Sequence, residues 1–139
     1  MLLQPKRVKY RKTAKGGRVK GQAEGKLEYG DSGLIATENG RVTARQLESA
    51  RRAIRHQLER KGMVWMRVYP DKGVTKKPTE VRMGKGTGSV AYWSTRVRPG
   101  TVLFEITGVT PRVAEKALES AGMKMPMGSK IIMRNGVAS

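Results

Sequence analysis

The first twenty-six residues hold nine lysines and arginines, one acid (Glu24) and almost no apolar side chain beyond Leu3. Val8, Tyr10 and Val19 are the only apolar side chains larger than alanine after it. Such a stretch cannot bury enough apolar surface to offset the entropy of ordering its own backbone. This limits the fold more than any motif does, because the core must come from residue 27 onward. Residues 1–26 are expected to form an extended basic arm that orders on a partner. A tail that only adds charge is the bland alternative.

The arm is part of a wider imbalance. The 139-residue chain has 29 Lys plus Arg against 11 Asp plus Glu, a formal net charge of +18. A field of that strength concentrates and steers polyanions. Nucleic acid is the first candidate partner and an anionic membrane surface the second. Residues 1–98 carry 24 of the bases and 8 of the acids, whereas residues 99–139 carry 5 and 3. The polyanion contact is therefore expected in the first two-thirds, and the last third reads as ordinary fold.

Several function classes fall away on composition. A chain of this length suits one domain with a real core. The absence of Cys removes disulfides and thiolate metal sites, and His56 is the single histidine, too few for a histidine-rich metal site. No apolar run approaches the ~20 residues of a membrane span. The start, MLLQPKRVKYRK, has its short apolar piece ahead of its charges, the reverse of a secretory leader. Pro5 and the lack of an amphipathic stripe argue against a transit peptide. The expectation is a soluble, intracellular protein with no cofactor, no metal and no membrane contact.

Beyond the arm, local signals outline a layer of strands and two helices. Gly30-Asp31-Ser32-Gly33 and Asn39-Gly40 read as turns, the second suited to a type I′ hairpin, with short strands at Leu27–Tyr29 and Leu34–Thr37. Thr43-Ala44-Arg45-Gln46 fits a capping box. Leu47, Ala50, Ile54 and Leu58 then recur at helical spacing, and Gly62 supplies a stop after Arg60 and Lys61. Arg45, Arg52 and His56 lie nearly opposite that stripe, with Arg55 on the flank and Arg51 beside the stripe. One face packs while the other offers guanidinium groups. A merely solvated charged face, partly neutralised by Glu48 and Glu59, is the competing account. Strands are expected at 63–69, 79–83, 90–97 and 101–107, with turns at Pro70–Gly73 and Pro99-Gly100. Thr110 caps a second helix with Pro111 at its first position. Its stripe is Val113, Ala114, Ala117, Leu118 and Ala121, and Gly122 ends it. A last strand is expected at Lys130–Arg134. The fold class is therefore α+β: a single domain over 27–139, mostly antiparallel sheet with two helices on one face. To it are added the arm and a long Gly-rich loop over about 72–90.

That loop carries RMGKGTG at 82–88. A phosphate-binding P-loop needs G-x-x-x-x-G-K-[ST] followed by a helix. Here the glycines stand at 84, 86 and 88, no Lys-Ser/Thr follows, and the next segment reads as a strand. The dinucleotide pattern fails in the same way, since there is no helix N-terminus to hold a phosphate. Glu115 and Glu119 are spaced i,i+4 on a helix, where a solvated face explains them better than acid–base chemistry. The loop makes better sense as a flexible connection. Its glycines let backbone approach a phosphate or sugar, and Arg82 and Lys85 supply charge. Arg82 can also stack on an exposed base. A mobile hairpin tip is the plainer reading, but no acid lies between Arg82 and Arg98.

The stretches PKRVKYRKTAKG at 5–16, YGDSGLIA at 29–36, GRVTARQLESARRAI at 40–54, KGMVWMRVYPDK at 61–72, KKPTEVRMGKGTG at 76–88, PGTVLFEITGV at 99–109 and AEKALESAGMKMP at 114–126 run nearly end to end. Together they resemble bacterial large-subunit ribosomal protein L sixteen, the universal family whose archaeal and eukaryotic branch is called L ten e. VRMGKGTG is the most specific motif. The chain departs at Thr87, where the family usually has Lys, at Tyr69, where Phe is commoner, and at Met63, where a base is common. The tail after Met127 follows the family least.

The resemblance implies a non-enzymatic constituent of the large ribosomal subunit. It would bind 23S-type ribosomal RNA and help position transfer RNA near the A site and the peptidyl transferase region. Lys6, Arg7, Lys9, Arg11, Lys12, Lys15, Arg18 and Lys20 would thread between RNA helices, and Arg45, Arg52 and Arg55 would face RNA backbone. Arg82, Met83, Gly84, Lys85 and Gly86 would form the loop pointing toward the transfer RNA and the peptidyl transferase region. The implied partners are that RNA, A-site transfer RNA with P-site transfer RNA as a further one, and neighbouring large-subunit proteins, without homo-oligomers. The implied location is the ribosome of the cytoplasm, or of the stroma or matrix of an organelle that encodes it. A free-standing RNA-binding regulator or chaperone is the alternative, and a phosphate-handling enzyme the third reading.

Overall fold

The computed structural model describes residues 25–70, 72–76 and 89–134. The arm residues Lys6 to Lys20, the strand expected at 79–83 and the loop residues Arg82 to Gly86 lie outside the described residues. The element order is β1 (Ser32–Ala36), β2 (Gly40–Thr43), α1 (Ala44–Leu58), β3 (Met63–Met66), β4 (Lys72–Lys76), β5 (Ser89–Val97), β6 (Val102–Thr107), α2 (Pro111–Gly122) and β7 (Ser129–Met133). This is the α+β class that the patterning predicts. The strands divide into a four-stranded sheet, β3-β6-β1-β7, and a three-stranded sheet, β2-β5-β4. Every pairing among the described residues is antiparallel.

Both helices begin where their caps predict. Thr43 accepts a hydrogen bond from the Gln46 amide (3.2 Å), and its own amide donates to Gln46 Oε1 (2.8 Å). This reciprocal pairing satisfies two donors that a helix start leaves open. Thr110 Oγ1 accepts from the Val113 amide, with Pro111 in the first turn. The α1 stripe of Leu47, Ala50, Ile54 and Leu58 is buried, as are Ala114, Ala117, Leu118 and Ala121 of α2. Val113, counted in the α2 stripe, is instead 37% exposed. The helices pack on each other, α2 mainly over β1 and β7 and α1 over β2 and β3. Their short alanines allow close approach. Phe104, Leu103, Ile106 and Leu34 from the large sheet complete the core with Val42 and Val97 from the small one. Burying each large side chain contributes about 1.5–3 kcal/mol.

Four local expectations are corrected. Leu27–Tyr29 is not a strand, because the amides of Glu28, Tyr29 and Gly30 donate to the side chain of Glu105 rather than to a neighbouring strand. Asn39-Gly40 is not a hairpin turn: Gly40 opens β2 and pairs with Val97 of β5, while β1 pairs with β6 and β7, so the chain passes between sheets there. α1 ends at Leu58, earlier than the glycine stop implies, because Glu59 (φ 51°) and Arg60 (φ 68°) take left-handed backbone themselves. Gly62 is still required (φ 72°), since a Cβ there would stand 2.3 Å from the Thr107 carbonyl oxygen. Finally, Lys72 and Gly73 are not in a turn. They open β4, held opposite Ser94 and Trp93 of β5, and this ladder outweighs the local turn signal.

Candidate nucleic-acid interface

Three parts of the fold present or root positive charge: the outer face of α1, the three-stranded sheet, and the point where residue 25 onward enters the fold. On α1 the buried stripe fixes which side chains face outward. Arg45, Arg52, Arg55 and His56 are exposed. Glu48 accepts from Arg51 Nη2 (2.5 Å) and Nε (3.2 Å), and Arg52 Nε lies 3.4 Å from it. The hydrogen bond from Arg51 holds the Glu48 carboxyl below the ordinary carboxylate range despite the opposing effect of burial, and the charges of Arg51 and Arg52 add to it. One acid is thus shared by two arginines. Among the described residues Arg45 and Arg55 have no ion-pair partner, so the face keeps a net positive charge.

The small sheet concentrates bases in a way that sequence spacing does not show. Arg41 of β2 stands directly opposite Arg96 of β5. Lys72 of β4 stands opposite Ser94, two residues before Arg96. Side chains alternate along strands, so Arg41, Arg96, Lys72 and Ser94 share one face. The Lys72 amine is pushed below the ordinary lysine range, first by burial and then by the charges of Arg96 and Arg41. Only the pairing register, set by contacts distant in sequence, brings these three bases together. The alternation of Tyr92, Ser94 and Arg96 was the one signal in the sequence, and it gives no partner strand.

β4 and β5 also flank residues 77–88 in the chain. Their register slips by one between Val74, which faces Tyr92, and Thr75, which faces Val90. Ala91 is the extra residue of this bulge, which bends and twists the strand pair locally.

The arm's root is held by a buried acid. Glu105 Oε1 accepts from the amides of Glu28 (2.9 Å), Tyr29 (3.0 Å) and Gly30 (3.0 Å), while Arg67 donates to Oε2. Arg67 also lies 3.4 Å from Glu28 and over the Tyr29 ring, which stacks on Trp65 at 5.8 Å. Arg134 donates to the Gly30 carbonyl (2.8 Å), and Thr107 donates to Asp31 (2.6 Å). Burial pushes the Glu105 carboxyl up, but the Gly30 amide, Arg67 and the Tyr29 and Glu28 amides together bring it below its ordinary value.

Among the predicted contact residues, Arg45, Arg52 and Arg55 are thus described and lie together on one helix. Lys6, Arg7, Lys9, Arg11, Lys12, Lys15, Arg18, Lys20 and Arg82 to Gly86 are outside the described residues. No helix among the described residues is long and apolar enough to cross a membrane, and no group of three or more His, Cys, Asp or Glu there could hold a metal ion.

This arrangement, an α+β layer with a guanidinium face and a three-base sheet, is chemically suited to a polyanion. Comparison with known proteins gives the class. The family model described as ribosomal protein L16p/L10e matches residues 5–132. The chain is 55% identical over 135 residues to the large ribosomal subunit protein uL16 of Cereibacter sphaeroides (strain ATCC 17029 / ATH 2.4.9), covering 96% of this chain and 98% of that one. It is 54% identical over 140 residues to the uL16 protein of Erythrobacter litoralis (strain HTCC2594), covering 99% and 96%. It is 53% identical over 137 residues to that of Maricaulis maris (strain MCS10), covering 97% and 99%. The chain belongs to the ribosomal protein L16p/L10e family. It is a structural protein of the ribosome and not an enzyme.

Proposed function

We propose that the chain is a constituent of the large ribosomal subunit in the bacterial cytoplasm, where it binds 23S-type ribosomal RNA and helps position transfer RNA near the A site and the peptidyl transferase region. The observation that carries the reading is the match at 55% identity to large-subunit proteins over nearly all of both chains. The exposed guanidinium face of α1 supports it physically. Arg45 and Arg52 sit opposite a fully buried stripe with Arg55 on its flank, so a partner's phosphates can be neutralised at no cost to packing.

In this reading the arm residues Lys6 to Lys20 run between RNA helices, pinned at their exit by Glu105. Arg82, Met83, Gly84, Lys85 and Gly86, which follow β4 and precede β5 in the chain, approach the transfer RNA, and neighbouring large-subunit proteins complete the surroundings. The test is binding of the purified chain to deproteinised large-subunit RNA across a salt series. Affinity is expected to fall steeply and linearly on logarithmic axes, because each neutralised phosphate releases counterions. A flat response removes the phosphate-contact reading.

A further inference from the structure

Tyr29 holds an open aromatic surface where the chain enters the fold, and it is not among the predicted contact residues. It is 56% exposed, yet its backbone is firmly held. The amides of Glu28, Tyr29 and Gly30 all donate to Glu105. A Cβ on Gly30 would stand 2.7 Å from the Ile106 carbonyl oxygen, so this segment lies directly on the large sheet. Val64, Met66 and Val68 pack against the core. Side chains alternate along a strand, so Trp65 and Arg67 project from the opposite, outer face. Arg67 continues the ladder past β3, its amide donating to the Leu103 carbonyl (3.0 Å). Tyr29 lies across both side chains: its ring stacks on Trp65 at 5.8 Å, and the Arg67 guanidinium carbon is 5.2 Å from its centroid. Both neighbours rise from the sheet beneath the ring, so its other face is turned to solvent.

We propose that the solvent-facing side of the Tyr29 ring is a stacking site for one unpaired nucleobase of the RNA. The charge around the ring decides between base and phosphate. Arg67 is matched by Glu28 and Glu105, and Arg134 lies 3.8 Å from Asp31. A phosphate gains little from bases already paired, whereas stacking needs a flat, fixed ring and no charge. Unpaired bases are the part of RNA that aromatic side chains take. The place of the ring in the chain favours the same ligand. Lys26, exposed and three residues before Tyr29, ends the basic run of residues 1–26 and can hold the phosphate next to the stacked base. The arm then supplies phosphate contacts and Tyr29 a contact to a base. The proposal rests on the RNA-binding reading of the whole protein, and its test separates the two.

The full chain and its Y29L and Y29F variants are titrated with deproteinised large-subunit RNA across a salt series. Y29L is expected to bind about tenfold more weakly at every salt concentration, with the wild-type slope, because a stack neutralises no phosphate. Y29F keeps the ring and is expected to bind like the wild type. Wild-type affinity in Y29L, a loss accompanied by a smaller slope, or an equal loss in Y29F overturns the stacking site. A flat slope in the wild type overturns the RNA reading and the site with it. A second measurement needs no variant: the Tyr29 ring-proton NMR signals, with a short single-stranded RNA and with a duplex of the same length. An upfield shift is expected with the single strand and not with the duplex. No shift, or an equal shift with the duplex, overturns the assignment to an unpaired base.

Discussion

Arg67 donates to one carboxylate oxygen of Glu105 while three consecutive backbone amides, at Glu28, Tyr29 and Gly30, donate to the other. A fully buried acid in so basic a chain thereby fastens the point where the arm joins the fold. Its charge is compensated on both oxygens, which is the condition under which a buried carboxylate is tolerated.

Replacing it tests that claim. Glu105→Gln keeps the shape but leaves Arg67 without its buried partner, and should destabilise the free protein by about 3 kcal/mol in denaturant unfolding. The pH dependence follows from the direction of the shift. The folded pKa lies below the unfolded one of about 4.3. The contribution of Glu105 is therefore fully present above that pH and is lost as pH falls through the folded value. The variant should lack this part of the acid sensitivity, and an unchanged acid limb would count against the anchor.

The outer face of α1 gives a prediction of the opposite kind. Arg45→Gln with Arg55→Gln removes two exposed charges that have no ion-pair partner among the described residues. Thermal midpoint should be unchanged within about 2 °C, because surface substitutions of this sort stay within roughly 0.5 kcal/mol. The salt slope for ribosomal RNA should fall by about 1.5. A solvated face with no partner predicts no change in either quantity.

Deleting residues 1–20 separates arm from fold. Among the described residues the core cluster runs from Leu34 to Ile131, and Glu105 holds the chain from Glu28 onward. The truncated protein should unfold at close to the full-length midpoint while losing RNA affinity at least tenfold, measured by filter binding. A large loss of thermal stability would show that the arm is part of the core.

Local physics explains what the sequence made legible. Thr43 and Gln46, Thr110 and Pro111, and the stripe from Leu47 to Leu58 act within one or two turns, so the helices and their exposed arginines could be read directly. The strand set was visible for the same reason at β5, β6 and β7. Glu105 was not, because its amide partners lie 75 to 77 residues away and Arg67 lies 38 away, and inside TVLFEIT it looks like an ordinary polar residue of an alternating strand. The cluster of Arg41, Lys72 and Arg96 was hidden because register decides it. β4 itself was masked by Pro70 and Gly73, which signal a turn until β5 is there to pair with. Asn39-Gly40 misled in the same manner: the dipeptide favours a hairpin, but the strands on either side belong to different sheets.

The central claim, that this chain is a resident of the large ribosomal subunit seated on its RNA, is tested most directly by sedimentation. Cell extract is run on sucrose gradients at two salt concentrations and probed with an antibody to the chain. Signal in the large subunit and in whole ribosomes at both salts is the predicted result. Signal at the top of the gradient, or lost from the subunit at modest salt, contradicts it and favours a free RNA-binding regulator.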